Sequence, residues 1–107
     1  MVVGRGDIWL VNLDPTVGSE IKKSQPCVVI SPQEMHGHLR TVIIAPMTTG
    51  SGPAPYRIEL EHSGKSGFIL LDQIRSVDKS RLVRHFGALD SKTLERTLAT
   101  LQEVFVP

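Results

Sequence analysis

The chain has 107 residues, 40% hydrophobic and 5% aromatic, with twelve Lys and Arg against eleven Asp and Glu for a formal net charge of +1. That length fits one domain and leaves little room for two, and the apolar fraction excludes a disordered chain. The near-neutral balance excludes binding of nucleic acid by overall charge, so any anion site has to come from local placement.

The first predicted strand covers residues 7–13 (D-I-W-L-V-N-L), with apolar side chains on both faces, and Asp14-Pro15 closes it. A polar loop follows over residues 16–25, holding Gly18, Ser19, Lys22 and Lys23. At ~10 residues it exceeds an ordinary hairpin connection, a length that in small domains goes with function. Residues 26–31 (P-C-V-V-I-S) predict a second strand, with Pro26 fitting only at its start because proline cannot donate to a ladder. A turn or short helix is expected over 32–39, a third buried strand over 40–46, and a Gly- and Pro-punctuated loop over 48–55. Residues 56–60 and 67–71 read as strands joined by a polar turn at 62–66, and 75–77 and 81–86 as shorter strand candidates. Asp90 is placed to cap a helix whose Leu94, Leu98, Leu101 and Phe105 form one apolar stripe. Five or six short strands, a short connecting helix and a C-terminal helix predict a mainly β, SH3-like barrel forming a single domain over residues 1–107.

Cys27 is the only cysteine, so no internal disulfide is possible, and residues 1–6 carry one cation and no apolar run of signal-peptide length. No stretch approaches the ~20 apolar residues a membrane helix needs, and a cytoplasmic protein with no membrane association is expected.

Four stretches together resemble the MazF/PemK toxin family. They are G-D-I-W-L-V-N-L-D-P-T-V-G-S-E at residues 6–20, the x-P-x-V-V-I-S strand at 25–31, A-P-M-T-T at 45–49, and G-F-I-L-L-D-Q-I-R-S-V-D at 67–78. Each alone is weak; all four occur in the family's order and at about its spacings. The resemblance implies an SH3-like barrel of the CcdB/MazF/PemK type. It implies a homodimer that cleaves single-stranded RNA, as mRNA, without metal to 2′,3′-cyclic phosphate and 5′-hydroxyl ends. A cognate antitoxin protein is the implied partner.

Such cleavage needs an activated 2′-hydroxyl, a proton for the 5′-oxygen, and donors facing the phosphorane's growing charge. The family places an arginine just before the proline of the second strand, where this chain has Gln25. A glutamine amide donates hydrogen bonds but has no charge and no proton to give at neutral pH. The loss of that charge predicts a rate lower by on the order of 10² to 10³. Either the chain is an inactivated form, or Lys22 or Lys23 supplies the charge.

Thr48 matches the family's second active-site residue, against the simpler reading of a turn-forming threonine, and Thr49 is its companion. Glu20 aligns with a family acidic residue as a base or as a partner of Lys22 or Lys23. Lys22, Lys23, Gln73 and Arg75 are the remaining candidates for RNA contact, Arg75 being alternatively an ion-pair partner of Asp72 or Asp78. Lys79, Arg81, Arg84 and His85 form a basic run best read as a solvated edge. His36 and His38 stand near Glu34, but with Cys27 alone there is no second ligand pair, so no metal and no cofactor is expected. Trp9 reads as core. Two alternatives stay open beside the ribonuclease: a gyrase-inhibiting toxin on the same barrel, and a non-catalytic SH3-like module binding RNA or protein.

Overall fold

The computed structural model describes residues 1–13, 23–50 and 52–107. Strands β1 (Asp7–Asn12), β2 (Ser24–Val29), β3 (Thr41–Thr48), β4 (Arg57–His62), β5 (Lys65–Leu70), β6 (Arg75–Asp78) and β7 (Leu82–Ala88) form one antiparallel sheet. Its order is β4-β5-β3-β2-β1-β7, with β6 also paired to β3. A one-turn helix α1 (Gln33–His36) links β2 to β3, and helix α2 (Ser91–Phe105) ends the chain. The described residues thus carry seven strands, one or two more than the sequence count, because both short candidates near the C-terminus pair in the sheet.

Alternation along the strands sends apolar side chains to both faces. Trp9, Val11, Cys27, Val29, Val42 and Ile44 join one buried cluster. Ile8, Val28, Ala45, Met47, Ile58 and Ile69 join the other, with Leu101 of α2 packed against it. A sheet buried on both faces must curl around one core or be covered, and this one does both. Asp90 caps α2 by accepting from the Thr93 N–H at 2.7 Å, and that bond holds the Asp90 carboxyl below its ordinary range. The stripe on α2 differs from the expected one at its end. Thr97 is fully buried, its hydroxyl satisfied by the Thr93 carbonyl, whereas Phe105 is 70% exposed. The apolar stripe is therefore covered through Leu101 and bare at Phe105.

Two prolines shape the middle of the sheet. β3 pairs with β6 through Ile44 and with β5 from Met47 onward. Pro46 falls at that switch, where no strand on that edge needs the N–H it lacks, so β3 continues through it to Thr48 instead of ending there. On its other edge β3 pairs with β2 at Cys27↔Pro46 and Val28↔Ala45. One step along this register Pro26 stands opposite Met47 and has no N–H to give.

A buried polar network secures the opposite end. Ile43 N–H donates to Ser31 Oγ at 3.0 Å, and Ser31 Oγ lies 2.6 Å from His36 Nε2. His36 Nδ1 lies 2.8 Å from the Val3 carbonyl. A carbonyl only accepts, so Nδ1 carries a hydrogen and donates it, and in that tautomer Nε2 accepts a hydrogen bond from the Ser31 hydroxyl. Both imidazole nitrogens are therefore committed to holding α1 and the N-terminal arm to β3.

Candidate functional site

Where β2, β3 and the β4–β5 hairpin converge, a cleft of about 420 Å³ opens. It is large enough for a nucleotide-sized group. Gln25, Pro26, Met47, Thr48 and Thr49 form one wall, and Leu60, His62, Lys65, Gly67 and Phe68 the other, with Phe86 of β7 at the side. The second buried cluster supplies the floor through Met47 and Leu60.

Gln25 is fixed by the proline beside it. Its Nε2 donates to the Met47 carbonyl at 3.1 Å, supplying the hydrogen bond that Pro26 cannot. One amide hydrogen and the side-chain oxygen remain for a ligand. Thr48 Oγ1 accepts the Gly50 N–H at 3.1 Å, the threonine turn the sequence suggested. That bond uses an oxygen lone pair and leaves the hydroxyl proton free to donate. The turn and the site are therefore one arrangement: the bond that shapes the loop also orients the hydroxyl.

Gly67 makes the cleft possible. A Cβ there would stand 2.4 Å from the Thr48 carbonyl oxygen, so only glycine lets β5 approach β3 this closely.

The other candidates lie elsewhere. Gln73 sits in the 3-10 turn after β5, and Arg75 pairs opposite Ile44 on β6; neither lines the cleft. Asp72 is engaged by Arg57 at 3.1 Å and Asp78 by Arg40 at 3.8 Å, so neither carboxylate is partnered by Arg75. Arg75 lies near buried Cys27, whose thiol is pushed up to about 12 by burial against the opposing pull of the Arg75 charge. That thiol is protonated at neutral pH and inert. Lys23 is exposed at the entry to β2 with φ 62 and does not line the cleft. Glu20 and Lys22 lie outside the described residues.

The basic run is spent on structure. Lys79 Nζ donates to the His36 carbonyl and Arg81 to the Asn12 carbonyl. Arg84 lies over the Phe86 ring at 5.8 Å, and His85 stacks on Trp9 at 4.9 Å. Trp9 is core, 8% exposed. Sequence reasoning missed His62, Lys65, Gly67, Phe68 and Phe86 as cleft residues. The available signal was a glycine opening an apolar strand, read as strand, and a His and a Lys flanking Ser-Gly, read as the polar hairpin turn.

Known proteins match this architecture along most of its length. A family model described as PemK-like, MazF-like toxin of type II toxin-antitoxin system matches residues 4–105. Endoribonuclease MazF of Staphylococcus epidermidis is 37% identical over 101 residues, covering 88% of this chain and 84% of that protein. Endoribonuclease EndoA of Bacillus subtilis is 34% identical over 109 residues, covering 95% and 93%. The crystal structure of MazF from Deinococcus radiodurans superposes with a TM-score of 0.84 at 25% identity, covering 97% of this chain and 96% of that one. With the curled sheet, the terminal helix and the convergence of Gln25 on Thr48, these matches establish that the chain belongs to the PemK-like, MazF-like toxin family of type II toxin–antitoxin systems.

Proposed function

We propose that this chain is the toxin of a type II toxin–antitoxin pair, an endoribonuclease that cuts single-stranded RNA in the cleft between Gln25–Thr48 and the β4–β5 hairpin. The observation that carries the reading is the meeting of Gln25 and Thr48, 23 positions apart in sequence, on one wall of one cleft in a chain whose relatives are endoribonucleases. In this reading the ribose 2′-hydroxyl attacks the adjacent phosphorus, the P–O5′ bond breaks, and a 2′,3′-cyclic phosphate and a 5′-hydroxyl remain. Thr48 donates its hydroxyl proton to a phosphate oxygen, and Gln25 donates its remaining amide hydrogen. The apolar faces of Phe68 and Phe86 suit an unstacked base. Gln73, Arg75 and Lys23 contact RNA beyond the cleft, and Lys22 and Glu20, outside the described residues, remain candidates for RNA contact and for the base or its support.

The chain acts in the cytoplasm as a homodimer, and an antitoxin restrains it. The antitoxin reading is supported by MazE–MazF complexes from Deinococcus radiodurans, which share the fold; no helix among the described residues is long and apolar enough to cross a membrane.

The test is primer-extension mapping on a long transcript with chelator present, for the chain as it stands and for Gln25→Arg. Cuts ending in 2′,3′-cyclic phosphate are expected, with an all-deoxy analogue left intact and Gln25→Arg faster by on the order of 10² to 10³. An intact transcript in both reactions refutes the reading. A non-catalytic RNA-binding role is favoured by one observation, the uncharged Gln25, and shows as binding of a 2′-deoxy oligonucleotide with no turnover by either protein.

A further inference from the structure

Proton transfer in the cleft requires a group that changes charge near neutral pH, and neither Gln25 nor Thr48 does so. Among the described residues lining the cleft, the titratable side chains are His62 and Lys65. Both come from the β4–β5 hairpin, where they pair directly across the two strands. The hairpin closes through Ser63 and Gly64, with φ of 53 and 76. Two left-handed residues make the tight turn whose twist matches paired strands, so His62 and Lys65 sit on strand ends rather than on a loose loop.

Alternation fixes where these side chains point. Ile58, Leu60 and His62 share one face of β4; Ile58 is buried in the core and Leu60 lies partly buried at its rim. His62 continues that row outward to the mouth of the cleft. Its cross-strand neighbours on the same face are Ile69, Gly67 and Lys65 in turn. Thr48 is paired with Phe68 on the neighbouring strand, and both line the same cleft as His62. Neither His62 nor Lys65 has a side-chain hydrogen bond or ion pair with any described residue, in contrast to His36, whose two nitrogens are both engaged.

We propose that His62 is the catalytic base of the RNA cleavage reaction and that Lys65 faces the charge developing on the phosphate. The proposal rests on the ribonuclease reading above. The neutral imidazole takes the 2′-hydroxyl proton as the O2′–P bond forms. The P–O5′ bond breaks, its electron pair stays on O5′, and O5′ takes a proton from water at the open mouth. The imidazolium returns its proton to water, so no net proton, electron or co-reactant is needed. Lys65 from β5 is the charged group beside His62. β3 contributes the uncharged Met47, Thr48 and Thr49, and β7 contributes Phe86 with the Arg84 guanidinium over its ring.

The experiment is a pH–rate profile of RNA cleavage by the full chain and by His62→Gln, with Gln25→Arg alongside. Mass-spectrometric and circular-dichroism checks establish that each variant is folded. For the chain as it stands, kcat is expected to rise with pH as the base loses its proton, then level. His62→Gln is expected to lose that inflection and on the order of 10² in kcat with KM changed only a few-fold, a split that a merely structural role does not produce. Lys65→Gln is expected to weaken RNA binding and flatten its salt dependence. An unchanged pH profile and kcat in His62→Gln overturns the proposal and leaves the ribonuclease reading standing. Cleavage by Gln25→Arg but none by the chain as it stands also overturns it, because His62 and Lys65 then do not substitute for charge at position 25. No cleavage by either overturns both readings together.

Discussion

Replacing Gly67 by alanine tests the close approach that forms the cleft. The added Cβ would lie 2.4 Å from the Thr48 carbonyl oxygen and 3.1 Å from its carbonyl carbon, against ordinary contact at 3.4 Å or more. Relief requires β5 and β3 to separate by about 1 Å, and the obstacle is backbone, which cannot rotate away. Resistance is weak there, because β3 and β5 pair only through Met47↔Ile69 and Thr48↔Phe68. Overpacking of this kind costs about 1–3 kcal/mol. Alanine's smaller unfolded-state entropy offsets about 0.4–1 kcal/mol of it, so a net loss of about 1–2 kcal/mol is expected in urea denaturation. Function should fall further than stability. A displacement of about 1 Å at Thr48 can cost on the order of 10² in cleavage rate in protein that is still fully folded. Gly37→Ala is the control: no atom lies within 4 Å of its Cβ position and its φ is −78, so a change within about 0.5 kcal/mol is expected. If Gly67→Ala cleaves and unfolds like the parent chain, the two strands do not meet as described, and the cleft argument fails with them.

Three further outcomes follow from the same contacts. Thr48→Val keeps the shape and removes the hydroxyl; the exposed Gly50 N–H turns to water at little cost, while cleavage should drop by on the order of 10² to 10³. A near-normal rate would remove Thr48 from the reaction. Ser31→Ala strips partners from the Ile43 N–H and from His36 Nε2 at once. At about 1–3 kcal/mol per orphaned buried group, urea curves should show a loss of about 2–6 kcal/mol; a neutral substitution would mean the network is not closed. Asp72 and Asp90 are both held below the ordinary carboxylate range, Asp72 chiefly by its bond to Arg57 and Asp90 by the Thr93 N–H. Their contribution to stability is therefore present above about pH 4 and is lost as pH falls through their depressed values. Asp90→Asn should flatten the acid limb of a Tm-against-pH curve relative to the parent, and an unchanged limb would contradict the cap.

The strands were legible because each of the seven stretches carries β-branched or alternating apolar residues between Gly, Pro or polar breaks. Their ends were less so. The loop expected over 16–25 gives up Ser24 and Gln25 to β2, and β3 runs through Pro46 to Thr48. A rule that stops strands at proline fails at Pro46 because the missing donor matters only where a neighbour needs it, and neighbours are a tertiary fact. Gln25 and Thr48 were found through the family motif, and the cleft that joins them depends on the β2–β3 register, which the motif does not state. The opposite wall was invisible for a different reason. His62 and Lys65 have the composition of any solvated hairpin tip, and Gly67 looks like a weak spot in a strand until the Thr48 carbonyl is placed against it. Phe105 shows the limit of periodicity: the spacing fits the stripe, but the side chain is left 70% exposed.

Position 25 carries a structural demand that is separable from its chemistry. Pro26 leaves the Met47 carbonyl without a backbone donor, and the side chain before the proline supplies one. Any residue at 25 must therefore reach that oxygen as well as serve the cleft, which excludes short or purely accepting side chains. Glutamine meets the first demand with one amide hydrogen and has one left for a phosphate. Arginine has five donors in a planar fork, enough to satisfy Met47 and still present charged hydrogens to a phosphate. Exchange between the two is thus compatible with the same backbone. Stability should follow the bond to Met47, whereas rate should follow charge. Gln25→Arg and Gln25→Leu separate these effects: both change the rate-determining electrostatics, but only leucine leaves the Met47 carbonyl without its donor.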